Sequence, residues 1–306
     1  MTPAVPPKPQ AAVLPKPQAA VLPQMKVDLD CYPCFLRQVV IAVRLGTKDE
    51  GLQEKVLMDV LKDLHLMDVS RTPAHATTFI HRKIRHLMGK DPFRDIKAEY
   101  NSIALGLYPV FKKTVSESPD PLWTASRLAI AGNVIDFGIF TSVDIEGAVK
   151  QALHNPLAVD DYGRFRDAVN QADDILYLLD NTGEAVFDRL LIETLVSSGK
   201  RVTAAAKGGP VINDCTAQDA EEAGISGICE VIDNGSDAVG TILETVSEDF
   251  RARFGRAGLI ISKGQGNFET LLQASEKIFF LFQSKCDVVS KVLGLSKGSM
   301  LLKEGP

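Results

Sequence analysis

The stretch Asp173–Glu184, DDILYLLDNTGE, constrains this chain more than any other. Ile175 to Leu179 form a short uncharged apolar run that ends abruptly in Asp180-Asn181-Thr182-Gly183, and a helical pattern begins at once. That order predicts a buried strand running into a helix. Val186, Phe187, Leu190, Leu191, Thr194 and Leu195 recur at helical spacing, and Gly199 stands where a left-handed C-terminal residue is wanted. Asp180 and Asn181 therefore belong at the carboxyl end of a central strand. In open α/β sheets ligands bind along that edge, because loops diverge there and helix N-termini offer unpaired N–H groups.

The same alternation continues downstream. Strands are expected to end at Leu179, Ala206, Ile232, Ser262 and Phe282 with helices between them, which predicts an α/β fold with a parallel, doubly wound sheet. Each strand end is followed by polar or glycine-rich sequence: Asp180-Asn181, Lys207-Gly208-Gly209-Pro210 with Asn213-Asp214 close behind, Asp233-Asn234-Gly235, and Lys263-Gly264-Gln265-Gly266-Asn267. Singly, each has a plain explanation. Asn181 and Glu184 have the spacing of a capping box, Asn234-Gly235 is a turn signal, and Gly264 and Gly266 permit tight backbone geometry. Together they bring hard oxygen ligands (Asp180, Asn181, Asp214), a cation (Lys263) and glycine-flanked N–H groups to one rim. Such a set suits Mg²⁺ or Mn²⁺ with a phosphate beside it. No GxxxxGK[ST] is present and no GxGxxG follows a strand, so a P-loop or dinucleotide site is disfavoured.

Cys31 to Val115 reads as helix throughout, with apolar stripes through Phe35, Val39 and Val43, through Leu52, Val56 and Leu61, and through Phe93, Tyr100, Leu107 and Phe111. His75, His81 and His86 are spaced i,i+6 and i,i+5, which puts no two imidazoles on one face for a metal. In Trp123–Phe140 a helix would project Asn133 and Asp136 together from an apolar segment, either to satisfy a neighbouring backbone or to point into a site. Further helices are expected over Ile145–Leu153 and Tyr162–Ala172. Cys31-Tyr-Pro-Cys34 can close a disulfide or grip a soft metal, and a helix N-terminus lowers a thiol pKa, yet no second ligand pair completes a zinc site. A structural or peripheral role is preferred over a redox one.

Composition bounds the rest. The 306 residues carry a formal charge of −5 with no strongly basic block, which argues against nucleic acid as a partner. No apolar run reaches the ~18 residues that span a bilayer, and no signal-peptide pattern opens the chain, so no membrane partner and a cytoplasmic location are expected. Five cysteines in a long chain imply no disulfide framework. KPQAAVLP occurs twice in tandem before Gln24, at a proline density that sustains neither helix nor central strand. The expected division is a disordered tail over 1–25, a helical domain over 26–155 and an α/β domain over 156–306.

DNTGEAVFDRLLIETL, KGGPVINDCTAQDA, VIDNGSDAVGTIL and GLIISKGQGNFETL, with GNVIDFG upstream and CYPC near the start, resemble the damage-control phosphatases, and the CYPC resembles their CxxC-bearing prokaryotic branch. The resemblance runs from about residue 26 to the C-terminal region. It implies a Rossmann-like three-layer α/β/α domain with a parallel sheet beside an N-terminal all-α domain, and metal-dependent hydrolysis of phosphate esters of small, damaged or side-product metabolites. By motif, Asp180, Asn181 and Asp214 would hold a divalent ion (Mg, Mn, Co or Ni). Lys263 would meet the phosphate with Gly264, Asn267 and Glu184 beside it, and Asn133 and Asp136 would line the site from the helical side. Metal-activated water is the expected nucleophile. Asp180 as a covalent nucleophile, a non-enzymatic binder of a phosphorylated metabolite, and a redox or zinc protein built on Cys31 and Cys34 are the alternatives.

Overall fold

In a computed structural model of the chain the described residues are 25–134, 153–274 and 277–305. The repeats of the tail, Asp136, and all but the end of the helix expected over Ile145–Leu153 lie outside them. The described strands form one seven-stranded sheet. Its order is β1 (Val159–Asp160), β7 (Met300–Glu304), β6 (Ile278–Gln283), β5 (Leu259–Lys263), β2 (Asp174–Leu178), β3 (Arg201–Ala206) and β4 (Glu230–Asp233).

β2 lies between β3 and β5, with Tyr177 opposite Ala204 on one side and Ile261 on the other. Ile175 and Tyr177 enter the core on one face, and Leu176 and Leu178 the core on the other. Burial on both faces is why the strand reads as an unbroken apolar run rather than an alternating one. From β2 the chain builds outward through β3 to β4, then returns to the far side of β2 as β5 and β6. The order reverses between β2 and β5, so their carboxyl ends flank a crevice of the kind in which doubly wound folds place ligands.

Two strands, β1 and β7, run against the expected parallel sheet. β7 pairs antiparallel to β6, while β1 pairs parallel to β7. Antiparallel neighbours need no long crossover, and only Gly294–Ser299 separates β7 from the preceding helix. β1 is two residues long, too short to leave a periodicity in the sequence. The five expected strand ends fall within one residue of those observed.

Three helices, α1 (Cys31–Gly46), α2 (Glu50–Asp63) and α3 (Pro73–Met88), share a core of Phe35, Val39, Val56, Val60, Ile80 and Ile84. The next two, α4 (Arg94–Ser116) and α5 (Pro121–Val134), belong instead to the sheet: with α6 (Tyr162–Gln171) and α7 (Glu184–Ser197) they bury Phe111, Leu128, Phe165 and Phe187 in the core on one face. The hydrophobic core thus does not divide at residue 155. After α8 (Ala217–Glu222), the other face is covered by α9 (Glu248–Arg256), α10 (Gln265–Leu271) and α11 (Asp287–Leu293). α5 can lie close on α7 because Gly132 has no side chain, and a Cβ there would meet Phe187 at 3.0 Å and Glu184 at 3.3 Å. That approach carries Asn133 to the end of β2.

The helical part is tied to the sheet by a charge. α3 begins with Pro73, and the Thr72 side chain does not cap it. The Ala74 N–H instead donates to Glu269 Oε2 on α10, 3.1 Å away. Burial pushes the Glu269 carboxyl up to about 7 against hydrogen bonds from Gln265 and Ala74 that pull it down. An acid raised on folding from 4.5 to about 7 binds more protons folded than unfolded within that window. Its contribution to stability is therefore lost as pH rises from 4.5 through 7, by about 3 kcal/mol at the extreme. Glu269→Gln removes the titration, so the variant's melting temperature relative to the parent is expected to improve steadily between pH 5 and pH 8. A difference that stays constant across that range would detach Glu269 from the pH dependence.

Candidate active site

The loops after β2 and β3 are zipped together by their backbones. Cys215 N donates to the Asp180 carbonyl at 2.7 Å, Thr182 N to the Asn213 carbonyl at 2.8 Å, and Lys207 N to the Cys215 carbonyl at 2.9 Å. Asn181 and Asp214 form an isolated antiparallel bridge, so DN and ND lie side by side although more than thirty residues separate them in the chain. A further hydrogen bond comes from the helical region. Gly183, which has a positive φ and precedes α7, donates its N–H to Asn101 Oδ1 of α4 at 3.1 Å.

Two amides then turn their nitrogens inward. Asn133 Nδ2 donates to Asp180 Oδ2 at 3.1 Å and Glu184 Oε2 at 2.9 Å. Asn181 Nδ2 donates to the same two oxygens at 2.7 and 2.9 Å. Both amides thus present nitrogen to the two carboxyl oxygens that they share. Asn133 Oδ1 takes the Gln283 N–H, while Asn181 Oδ1 is directed away from the carboxylates that hold its nitrogen. Asn181 and Glu184 are therefore not the expected capping box. The residue preceding the helix is Gly183, Glu184 is its first residue, and the contact runs from side chain to side chain, whereas a capping box joins each side chain to a backbone N–H.

Behind this pair sits Lys263, wholly buried. Its Nζ donates to Ala129 O at 2.8 Å, Glu184 Oε1 at 2.6 Å and Asp188 Oδ1 at 2.5 Å. Burial opposes its charge, but Asp188 and Glu184 outweigh burial and raise its pKa. All three ammonium donors are used, so the expected contact of Lys263 with a phosphate has no donor left to make it. Lys207 is different. Its Nζ donates to the Gly240 carbonyl and stands 3.4 Å from Asp214 Oδ2, beside the rim.

A divalent cation fits this site. Asp214 Oδ2 is buried and, among the described residues, has the 3.4 Å ion pair with Lys207 but no close hydrogen bond. The Asp180 carboxyl is driven far up by burial and by the neighbouring charges of Glu184 and Asp214, which is what a cation between them would relieve. Among the described residues no three His, Cys, Asp or Glu side chains form a metal cluster. The donor set is instead two carboxylates and one amide oxygen (Asp180, Asp214, Asn181), hard ligands that leave room for water or phosphate. Gly264 adjoins Asp180 with φ 80° and ψ 160°, and a Cβ there would overlap the carboxylate. Asn267 is buried, and its amide donates to the carbonyls of Lys263 and Leu179.

Several of these residues have a weak signal in the sequence. Asn101 and Lys97 share the α4 face with Tyr100 and Ala104, and Lys97 pairs with Asp219 at 2.6 Å. Polar residues inside an apolar stripe are the signal that finds them. Tyr177 and Asp188, whose hydrogen bond is 2.8 Å, read from sequence as ordinary strand and helix positions. Cys31 is buried in the helical core with its thiol pushed up to about 11 by burial, Cys34 is exposed, and both are free thiols.

Gly264→Ala tests the packing around Asp180. The backbone conformation at this position is one that only glycine adopts without strain, at a cost on the order of 1–3 kcal/mol for other residues, and the added methyl displaces the carboxylate. Calorimetry is expected to show Mn²⁺ affinity falling about 10-fold or more, together with a lower melting temperature. Parent-like values in both would mean that the loop relaxes without moving Asp180.

Known proteins share this arrangement of chain and fold. The family described as "Damage-control phosphatase ARMT1-like domain" matches residues 27–301. A damage-control phosphatase of Pyrococcus horikoshii is 35% identical over 282 residues, spanning 90% of this chain and 97% of the relative. Another, from Archaeoglobus fulgidus, is 33% identical over 287 residues, spanning 91% and 99%. The crystal structure of a DUF89 family protein from Pyrococcus horikoshii matches with a TM-score of 0.85 at 34% identity, over 92% of this chain and all of that one. With the match running from the first helix of the described chain into its last strand, the chain belongs to the damage-control phosphatase family.

Proposed function

We propose that the protein is a metal-dependent phosphatase hydrolysing phosphate monoesters of small, damaged or side-product metabolites. The observation that carries the reading is the juxtaposition of Asp180, Asn181 and Asp214 at the point where the sheet order reverses, with the buried Asp214 Oδ2 held among the described residues by no more than its 3.4 Å ion pair with Lys207. The names of the relatives from Pyrococcus horikoshii and Archaeoglobus fulgidus support the phosphatase class. Asp180, Asn181 and Asp214 would hold the ion, which when bound supplies charge neutralisation at the phosphoryl oxygens and acidifies water.

The chain's own groups do the rest. Lys207, on the Asp214 side of the rim, is the cation placed to meet a phosphoryl oxygen, since its ammonium is not saturated by carboxylates as that of Lys263 is. Asn133 and Glu184 hold Asp180 and Asn181 in register from the helical side. No DxDxT arrangement accompanies Asp180, which favours direct attack by water over a phospho-aspartate.

The test is hydrolysis of a generic phosphate ester by the full chain with Mg²⁺, Mn²⁺, Co²⁺ or Ni²⁺, and after chelation. Turnover is expected with at least one ion and not after chelation. Asp180→Asn is expected to lower both turnover, on the order of 10²-fold, and ion affinity. Turnover indifferent to chelator would remove the ion from the reaction. Ion and phosphate binding without hydrolysis of any ester would leave a metabolite binder, and rapid-quench trapping of phospho-Asp180 would replace attack by water with the covalent route.

A further inference from the structure

We propose that Lys263 is a positioning residue: by holding Glu184 it keeps the Asn181 amide oxygen turned toward the cation site. The proposal rests on the metal reading above and goes beyond it, because it gives the buried lysine a task that needs no contact with substrate. Glu184 is the hinge of the argument. Among the described residues its Oε1 accepts from Lys263, and its Oε2 accepts from the amides of Asn133 and Asn181, so both ends of the carboxylate face donors. With Glu184 held in that pose, each amide presents nitrogen to it. For Asn181 this leaves the oxygen as the end of the amide turned away from Glu184, on a residue whose backbone is bridged to that of Asp214.

Lys263 holds that pose from inside the fold. It is wholly buried at the end of β5 and bonded at the same time to α5 through Ala129 O and to α7 through Glu184 and Asp188. Asp188 is anchored in turn by the Tyr177 hydroxyl on β2. The ammonium therefore ties to one point both of the helices that supply Asn133 and Glu184 and both of the strands that flank the crevice. Preorganising an amide in this way spares the ion the work of turning a side chain, an effect that in metal sites is typically worth about 10- to 100-fold in affinity.

The chemistry makes a specific double-variant prediction. A glutamine in place of Glu184 has one donor end, and either orientation points it at a donor: at Lys263, or at the two amides. Glu184→Gln is therefore expected to weaken Mn²⁺ binding about 10- to 100-fold. Adding Lys263→Met to Glu184→Gln removes the conflicting donor. The introduced glutamine can then turn its oxygen to the amides, while Asp188 takes a proton and keeps its Tyr177 bond. Mn²⁺ affinity, read by calorimetry on the full chain, is expected to return to within about 3-fold of the parent, with competition by inorganic phosphate retained.

The outcomes separate. If the parent binds no Mn²⁺, the metal reading falls and this proposal with it. If the parent binds and Glu184→Gln binds equally well, or if the double variant stays as weak as the single one, Lys263 does not position Asn181. If the double variant regains Mn²⁺ but loses phosphate competition about 10-fold or more, Lys263 touches the anion and the positioning role is overturned. Should the variants not fold, the parent decides. In ¹⁵N-labelled metal-free protein the Asn181 side-chain hydrogens are expected to exchange slowly and to remain slow when Mg²⁺ is added, and free-amide exchange rates would overturn the proposal.

Discussion

A fully buried ammonium is among the most destabilising groups a protein can hold, with an effective penalty of several kcal/mol unless its charge and all its donors are met. Lys263 satisfies that requirement, and the surrounding structure follows from how. Two of its partners come from α7 and one from α5, so the helices on this face of the sheet cannot shift without stranding a charge. Removing one member of such a set is costly because the others remain buried and unpaired. The close approach of α5 to α7 at Gly132 is the packing counterpart of this electrostatic demand.

The network also sorts the carboxylates into two kinds. Glu184 and Asp188 face Lys263 inside the helical layer, whereas Asp180 and Asp214 lie at the crevice, where among the described residues Lys207 is the ammonium paired with Asp214. Burial and like charge push Asp180 far above the carboxylate range, while Lys207 partly offsets the same burial at Asp214. The acidic pair that lacks full compensation is thus the pair that an ion would bridge.

Much of this was legible in the sequence, for identifiable reasons. A strand buried on both faces leaves an unbroken apolar run, so β2, β3 and β5 declared themselves, and the polar residues ending them marked the rim. β1 is too short to carry a pattern and β7 reverses direction, a property decided by pairing rather than by periodicity. Within the site, the positions of Asp180, Asn181 and Asp214 followed from the motifs, but the environment of Lys263 did not. A lysine before a glycine-rich turn looks like an anion ligand, and what makes it an internal strut is the arrival of Glu184 and Asp188 on a neighbouring helix. Asn101 and Lys97 are hidden in the opposite way, since the apolar members of their stripe on α4 dominate its pattern.

Where the strain lies bears on how such a site stays ordered. The clustered carboxylates oppose folding in the absence of a cation, because burial and like charge disfavour their ionised forms. Asp180 and Asp214 lie in two loops whose backbones are zipped by short hydrogen bonds and braced from α4 by Asn101. Each brace lies outside the donor set it supports, so the loops are held open to the crevice without using a ligand oxygen. The helical region is therefore part of the site rather than an appendage to it: the backbone bridge sets Asp180 beside Asp214, α4 fixes the turn that follows β2, and α5 supplies the amide of Asn133 to the Asp180 carboxyl.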